Sequence, residues 1–333
     1  MTGLAAVAPV TTHAGGLLHA HTFRHEMLAY RDGVAGFVQR VLPLISTALA
    51  DERPVLVAVP PERVALLQEG LGDERGCVEF LDMYLLGRNP GRIISAWHEF
   101  LAKHAHTGRQ ALGIGEPIWP GRSAAELSEC HNHEALLNAA FGGGHPWQLI
   151  CPYDVDGLED HVIEEAQRTH AFIDEDGESR SSEAYAYGEQ PPRPFAQALS
   201  DPQAEVRELL FTAAQLSSLR RVVAGWAQES ELGTQATDEL VLAVNELATN
   251  SIRYGGGEGK LLSWREGEAL VCEIQDAGHI EDPLIGRSRP APNEHTGRGL
   301  WLVHQLCDLV QIHSAPSGTA VRIHKRRADA PAG

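Results

Sequence analysis

Along the chain the hydrophobic pattern changes character on either side of residues 174–202. From Phe23 onward, short apolar runs alternate with segments of helical period. Phe37, Val38, Val41, Leu42, Ile45 and Leu49 recur at helical steps, and Pro54-Val55-Leu56-Val57-Ala58-Val59-Pro60 follows as an unbroken apolar run between prolines. Such a run fits a strand buried on both faces of a parallel sheet. Strand-like runs recur at 77–83, 111–118 and 147–152, with helical stretches near 62–70, 92–104, 123–140 and 158–169. Strands alternating with helices predict an α/β domain with a mainly parallel sheet.

Residues 174–202 lose this periodicity and gather Asp, Glu, Ser, Pro and Gly, which predicts an exposed linker or long loop. Beyond it, Val206, Leu209, Leu210, Ala213, Leu216, Leu219, Val222, Val223 and Trp226 predict helices over 205–228 that pack across a second sheet. In the stretch from Asp238 to Gly259, Leu240, Ala243, Val244, Leu247, Ala248 and Ile252 recur at three- and four-residue steps, an amphipathic helix that stops at Gly255. Leu270 to Gln275 alternates as a strand. The predicted organisation is a frayed terminus over 1–17, a first domain over 18–173, a linker over 174–202, a second domain over 203–325 and a tail over 326–333.

The 238–259 helix carries the first sign of chemistry. Glu246 and Asn250 are four residues apart and so point the same way, one turn apart. A carboxamide oxygen suits Mg²⁺, while a carboxylate can take a proton from an attacking hydroxyl. Downstream, the strand 270–275 runs into Asp276-Ala277-Gly278. Thr296-Gly297-Arg298-Gly299-Leu300-Trp301 opens a helix, and Ser317-Gly318-Thr319 turns into a last strand. A strand-end carboxylate such as Asp276 can accept from an amine donor, and the Gly297-Arg298-Gly299 turn bares N–H groups where phosphates bind well.

These four segments, in order over roughly eighty residues, resemble the N, G1, G2 and G3 boxes of the GHKL superfamily. Within it they look most like the anti-sigma-factor serine kinases. The resemblance implies a Bergerat-type α/β sandwich, that is, an α+β ATP-binding domain. It implies Glu246 as general base, Asn250 as Mg²⁺ ligand and Asp276 as adenine reader. Arg253, Gly278, Gly297, Arg298, Gly299, Leu300 and Thr319 are then further nucleotide-contacting positions. One departure stands out: the G1 box usually carries a second glycine, and here Ile280 occupies that place. Losing a glycine narrows the backbone's conformational choice.

The first domain resembles the MEDS sensory domain, a module related in shape to RecA-type ATPases. The likeness rests on His25-Glu26-Met27-Leu28-Ala29-Tyr30, Gly115-Glu116-Pro117-Ile118-Trp119, Glu134-Ala135-Leu136-Leu137-Asn138, Cys151-Pro152-Tyr153-Asp154 and His170. It implies a role in sensing a small-molecule signal. His25, Glu116, Trp119, Tyr153 and Asp154 are the candidate pocket residues, because strand ends of open α/β sheets are where ligands bind. No G-x-x-x-x-G-K-[ST] loop is present, which argues against P-loop hydrolysis in this domain.

Charge then narrows the partners. The 333 residues carry 45 acidic against 27 basic side chains, a formal net charge of −18, which disfavours direct binding to nucleic acid or an anionic membrane. Without a signal-peptide layout or an apolar run of about eighteen residues, a cytoplasmic location and no membrane contact are expected. Five cysteines without C-x-x-C spacing indicate neither a disulfide framework nor a zinc ribbon and predict reduced, mostly buried thiols. The histidines at 13, 19, 21 and 25 and the run Cys130-His131-Asn132-His133 are read as surface composition rather than metal sites, and His324-Lys325-Arg326-Arg327 as a solubilising basic end.

The reading these features support best is an anti-sigma regulator that binds Mg-ATP and grips a sigma factor. By resemblance it phosphorylates a serine of an anti-anti-sigma (STAS-type) antagonist under control of the sensory domain, and members of the class often pair as homodimers. A sensor histidine kinase is a second reading, but His133-Glu134-Ala135-Leu136-Leu137-Asn138, which mimics a phosphoacceptor box, precedes a predicted strand and lies far from Glu246. A third keeps nucleotide as a structural ligand of a non-catalytic binding module.

Overall fold

A computed structural model describes residues 23–142, 146–186, 193–291 and 296–327. Histidines 13, 19 and 21, the terminus over 1–17 and residues 328–333 lie outside them. The first domain runs β1 (Arg24–Tyr30), α1 (Gly33–Ala50), β2 (Val55–Val59), α2 (Pro61–Leu71), β3 (Val78–Asp82), α3 (Met83–Leu86), α4 (Ile93–His104), β4 (Ala111–Gly115), α5 (Ala124–Phe141), β5 (Trp147–Asp154), α6 (Asp160–Thr169), β6 (Phe172–Glu175) and β7 (Glu178–Ser181). Its seven strands follow the order β3-β2-β4-β5-β1-β6-β7, all parallel except the β6–β7 hairpin. The parallel strands predicted from apolar runs are therefore central. Their alternate residues feed two cores, Leu28, Val57 and Ile114 under α1 and α2, and Met27, Leu149 and Cys151 under α4, α5 and α6.

Local chemistry explains the helix ends. Ser123 opens α5 with a capping box, its hydroxyl and amide paired with the Glu126 carboxylate and the Glu126 amide. Pro61 starts α2, where a missing N–H costs nothing. The 18-residue α1 has a mean hydropathy of 1.4, long and apolar enough to cross a membrane, contrary to the expectation that no such run exists. It packs Phe37, Val41, Ile45 and Ala48 against the sheet, which is why its core face is so apolar.

The second domain comprises β8 (Arg207–Thr212), α7 (Leu216–Glu229), α8 (Thr234–Tyr254), β9 (Glu258–Glu266), β10 (Ala269–Asp276), α9 (Arg298–Leu306), β11 (Leu309–Ala315) and β12 (Gly318–Arg326). Its antiparallel sheet, ordered β11-β12-β10-β9-β8, carries α7, α8 and α9 on one face over a core that includes Leu219, Leu240, Leu247, Val303 and Ile323. The opposite face holds Trp264 beneath the Arg322 guanidinium, which also pairs with Glu273.

Three expectations need correction. Residues 207–212, predicted helical, form edge strand β8, in which only Phe211 is buried while Leu210 is 69% exposed. A short apolar run satisfies either period, and the Thr212–Gln215 capping box starts the helical segment only at Ala213. The loss of periodicity after Asp174 conceals the β6–β7 hairpin, whose polar residues suit a sheet edge. His324-Lys325-Arg326 is not a loose basic end but the close of β12. Lys325 there pairs with Glu239, and Arg326 reaches Glu126 on α5 at 2.9 Å.

The domains meet at α9. Asn89 and Arg92 donate hydrogen bonds to the carbonyl oxygens of His304, at 2.9 and 2.8 Å, and of Cys307, at 3.4 and 2.7 Å. Lys325 donates to Leu306 O at 2.7 Å. The last turn of α9, whose carbonyls have no intrahelical partner, is thus capped largely from the other domain. Gly91 permits the approach, since a Cβ there would sit 2.1 Å from His304 Nδ1. Nearby, Arg287 (1% exposed) pairs with Glu129 of α5 at 3.3 Å, and Arg88 pairs with Asp308 at 3.2 Å.

Burial, reinforced by Arg287 and Arg92, holds the fully buried His304 imidazole well below its ordinary value of 6.5. A histidine depressed in the folded state lends its full stability above the unfolded pKa and loses it as pH falls, because the unfolded chain binds the extra proton. Each pH unit below about 6.5 should therefore cost about 1.4 kcal/mol through this residue. Urea unfolding at pH 5.5 and 7.5 should show a loss of stability on acidification smaller by about 1.4 kcal/mol in His304→Gln than in the unsubstituted chain.

Candidate functional site

The 21-residue α8 presents Glu246 and Asn250, both half-buried, one turn apart beside its buried stripe. The helix after the Gly297 turn comes directly against them. A Cβ on Gly299 would lie 2.9 Å from Glu246 Oε2 and 3.6 Å from Asn250 Nδ2, so any larger residue would push the Glu246 carboxylate aside. Gly297 reaches the N-cap of α9 with φ 77°, a left-handed conformation that glycine adopts without penalty. Two motifs separated by nearly fifty residues of sequence therefore share one surface.

At the other end of the cavity stands Asp276, the last residue of β10. Its Oδ2 accepts from Ser251 Oγ at 2.6 Å and its Oδ1 from the Gly278 amide at 2.8 Å. Gly255, at the end of α8, backs onto this carboxylate, where a Cβ would meet Asp276 Cγ at 2.4 Å. Thr319 Oγ1 donates to Gly278 O at 2.9 Å and shares a 2.8 Å hydrogen bond with Ser314 Oγ, which also accepts from the Ile280 amide. The missing second glycine is accommodated here. Among the described residues the non-glycines with positive φ are Asp32, Glu52, Asp176 and Glu231, so Ile280 sits in ordinary backbone.

All the predicted positions, Glu246, Asn250, Arg253, Asp276, Gly278, Gly297, Arg298, Gly299, Leu300 and Thr319, line one cavity of about 510 Å³. Ile274, Ile280, Ile285 and Val321 supply apolar wall. Size and lining suit a small molecule held by a few placed polar groups. One end offers carboxamide and carboxylate oxygens beside the N–H groups of a helix start, a set that fits a hard cation with phosphate. The other offers a carboxylate set in a partly apolar wall. Ser251 and Ser314 were not singled out in the sequence. The detectable signal for Ser251 is a polar residue within the apolar stripe of α8, buried completely.

Comparison with known proteins agrees with this geometry. Residues 24–171 match the family model described as MEDS, the methanogen/methylotroph, DcmR sensory domain, and residues 209–325 match the histidine kinase-like ATPase domain. The chain joins a MEDS domain to a histidine kinase-like ATPase domain. Solved structures similar to it include the Acinetobacter baumannii histidine kinase AdeS, at 15% identity over 38% of this chain and 71% of that one, with a TM-score of 0.24. Another holds the RsbU and RsbW domains of a Mycobacterium tuberculosis protein, at 14% identity over 62% of this chain and 49% of that one, with a TM-score of 0.28. No curated protein compared with the chain matches it.

In the MEDS domain the five candidate pocket residues do not converge. Glu116 is buried against Arg63 and accepts from Tyr30 Oη at 2.9 Å. Trp119 stacks under Arg122 at 3.6 Å. Asp154 accepts from the amides of Asp156 and Gly157, closing a turn. His25 and Tyr153 alone share a neighbourhood, both against the ring of His170. Cys130 and His133, read as surface composition, are both buried, and burial pushes His133 down to about 4. Its inaccessibility removes the resemblance to a phosphoacceptor box. The five cysteines are free thiols, with Cys77 exposed and the others buried.

Removing the Ser251 hydroxyl leaves Asp276 one donor short. Hydrogen bonds to charged groups contribute about 1.5–3 kcal/mol, and water can replace part of this at a half-exposed carboxylate. Ser251→Ala should therefore lower the unfolding free energy of the ATPase domain by about 1 kcal/mol, read as a lower urea midpoint with an unchanged slope.

Proposed function

We propose that the chain is an ATP-dependent protein kinase of the anti-sigma type, acting in the cytoplasm, with the MEDS domain biasing its activity in response to a small-molecule signal. The observation that carries the reading is the meeting of Glu246, Asn250 and Gly299 at one end of a cavity whose other end is Asp276. The serine substrate on a STAS-type antagonist, the sigma-factor partner and homodimer formation are supported by the resemblance of the four boxes. The acidic balance of the chain favours protein partners over nucleic acid.

In this reading Asp276 accepts the adenine amine and Gly278 lets the ring approach the backbone. Thr319 holds the Gly278 carbonyl from behind. The N–H groups at the start of α9, with Arg298, receive the phosphates. Asn250 and the phosphates would hold Mg²⁺, which supplies charge neutralisation when bound. Glu246 takes the proton of the incoming hydroxyl. Control by the MEDS domain is supported by α9 itself, whose N-terminus borders the cavity while Asn89 and Arg92 hold its C-terminus.

The test is phosphotransfer from labelled ATP with Mg²⁺ to candidate antagonist proteins. Label should appear on an antagonist serine and fall about 10²–10⁴-fold in Glu246→Ala while ATP affinity stays within a few-fold. Asp276→Asn should instead weaken ATP binding about tenfold or more, measured calorimetrically. Label on a histidine of the chain itself, or ATP binding without transfer to any antagonist, would overturn the serine-kinase assignment.

A further inference from the structure

Four side chains far apart in the sequence turn their donor atoms toward one point in the MEDS core. His25 comes from β1, Glu134 from α5, Cys151 from β5, and His170 from the residue after α6. Their exposures are 2%, 1%, 1% and 0%. His25 Nε2 lies 3.1 Å and His170 Nε2 3.4 Å from Glu134 Oε2. Cys151 Sγ lies 3.5 Å from His25 Nε2 and 3.6 Å from Glu134 Oε2. All four donor atoms fall within 4.8 Å of one another.

The hydrogen bonds around the cluster decide what the donors present to it. His170 Nδ1 faces Ala166 O at 2.7 Å, and a carbonyl can only accept, so Nδ1 carries a ring proton and Nε2 is the nitrogen turned toward Glu134. His25 is arranged likewise. Asn138 spends its amide donor on Thr169 O at 2.8 Å, which turns Oδ1 toward His25 Nδ1 at 3.2 Å. Two ring nitrogens, a carboxylate oxygen and a sulfur thus meet in a dry core. Glu134 Oε1, His170 Nε2 and Tyr153 Oη are buried there without a hydrogen-bond partner. A carboxylate with an unpartnered oxygen is held out of water only beside donors or a positive centre.

We propose that this cluster is a four-coordinate Zn²⁺ site, with ligands His25 Nε2, Glu134 Oε2, Cys151 Sγ and His170 Nε2. Zinc bonds of about 2.0–2.3 Å to nitrogen, oxygen and sulfur give tetrahedral edges of about 3.4–3.6 Å, the range in which three of the four measured separations fall, the fourth being slightly shorter. A thiolate and a carboxylate neutralise the ion, so the filled site adds no net charge to the core. Each histidine already donates its other ring N–H to an oxygen, the outer-shell arrangement that orients metal-bound imidazole. Ligands from two strands, a helix and a loop close the coordination, as in structural rather than catalytic zinc sites. The thiol proton is released when the site fills.

The site stands independently of the kinase reading, yet the two connect through α5. That helix carries Glu134 toward the ion and carries Glu126 and Glu129 to Arg326 and Arg287 of the ATPase domain.

The test uses the untagged full chain with His13, His19 and His21 replaced by alanine, so that metal on those side chains cannot be counted. Folded in the presence of Zn²⁺ and dialysed, it should hold about one zinc per chain by mass spectrometry, and Cys151→Ser and His170→Gln should each lower this about tenfold. The Co²⁺-loaded protein should show intense tetrahedral d–d bands and a thiolate-to-cobalt charge-transfer band, a readout that does not depend on any variant folding. Less than about a tenth of an equivalent of zinc, retention of metal by both variants, or a cobalt spectrum without the thiolate band would overturn the site and leave a proton-sharing cluster.

Discussion

The last turn of α9 imposes the constraint on which the two-domain arrangement depends. A helix end leaves carbonyl oxygens without intrahelical partners, and in a buried position each needs a donor. Here the donors are Asn89 and Arg92 of the MEDS domain together with Lys325 of the neighbouring strand. Cationic donors also match the negative end of the helix dipole. Separating the domains would leave the His304 and Cys307 carbonyls without these partners, together with the buried Arg287–Glu129 pair, whose rupture would strand a charge. The interface is therefore held by backbone satisfaction and paired charge, with Gly91 setting how closely the surfaces approach.

Legibility in the sequence follows from how local each feature is. Glu246 and Asn250, Asp276 with Gly278, and Gly297 with Gly299 were readable because each pair lies within one turn or one helix of itself and requires particular residue types. The central parallel strands were readable from proline-bounded apolar runs. Strand β8 was not, because an exposed edge strand with one buried side chain carries no alternation to detect. Nor was the His25–Cys151 neighbourhood, since its members are 126 residues apart and are joined by the parallel register that sets Met27 opposite Cys151. The cysteine and histidine spacings that sequence reading relies on are local by construction.

The same distinction separates the two sites chemically. The ATPase cavity is half-open, with exposed Arg253 and Arg298 at its rim and a helix start at its floor, as exchange of a charged ligand requires. The MEDS cluster is closed on all sides, so whatever it holds enters as the domain folds. One site is open to solvent and the other is sealed from it. Glu116 and Trp119, readable as conspicuous strand-end residues, turn out to be tied up by Arg63 and Arg122 and serve the core instead.

Connecting these regions requires little machinery. The nine residues of α9 span about 14 Å, so the cavity-lining turn and the MEDS-bound turn belong to one short rigid element. A shift of Asn89 and Arg92 relative to the second sheet must either carry α9 with it or leave its carbonyls bare. Carrying it moves Gly299 relative to Glu246 and Asn250, against whose side-chain ends it packs closely. Packed elements at such separations respond by adopting a second arrangement rather than by yielding gradually, because close-packed interiors resist continuous deformation. A signal that favours one position of the Asn89–Arg92 turn then biases the cavity by its differential contact energy with the two arrangements, and by no more than that.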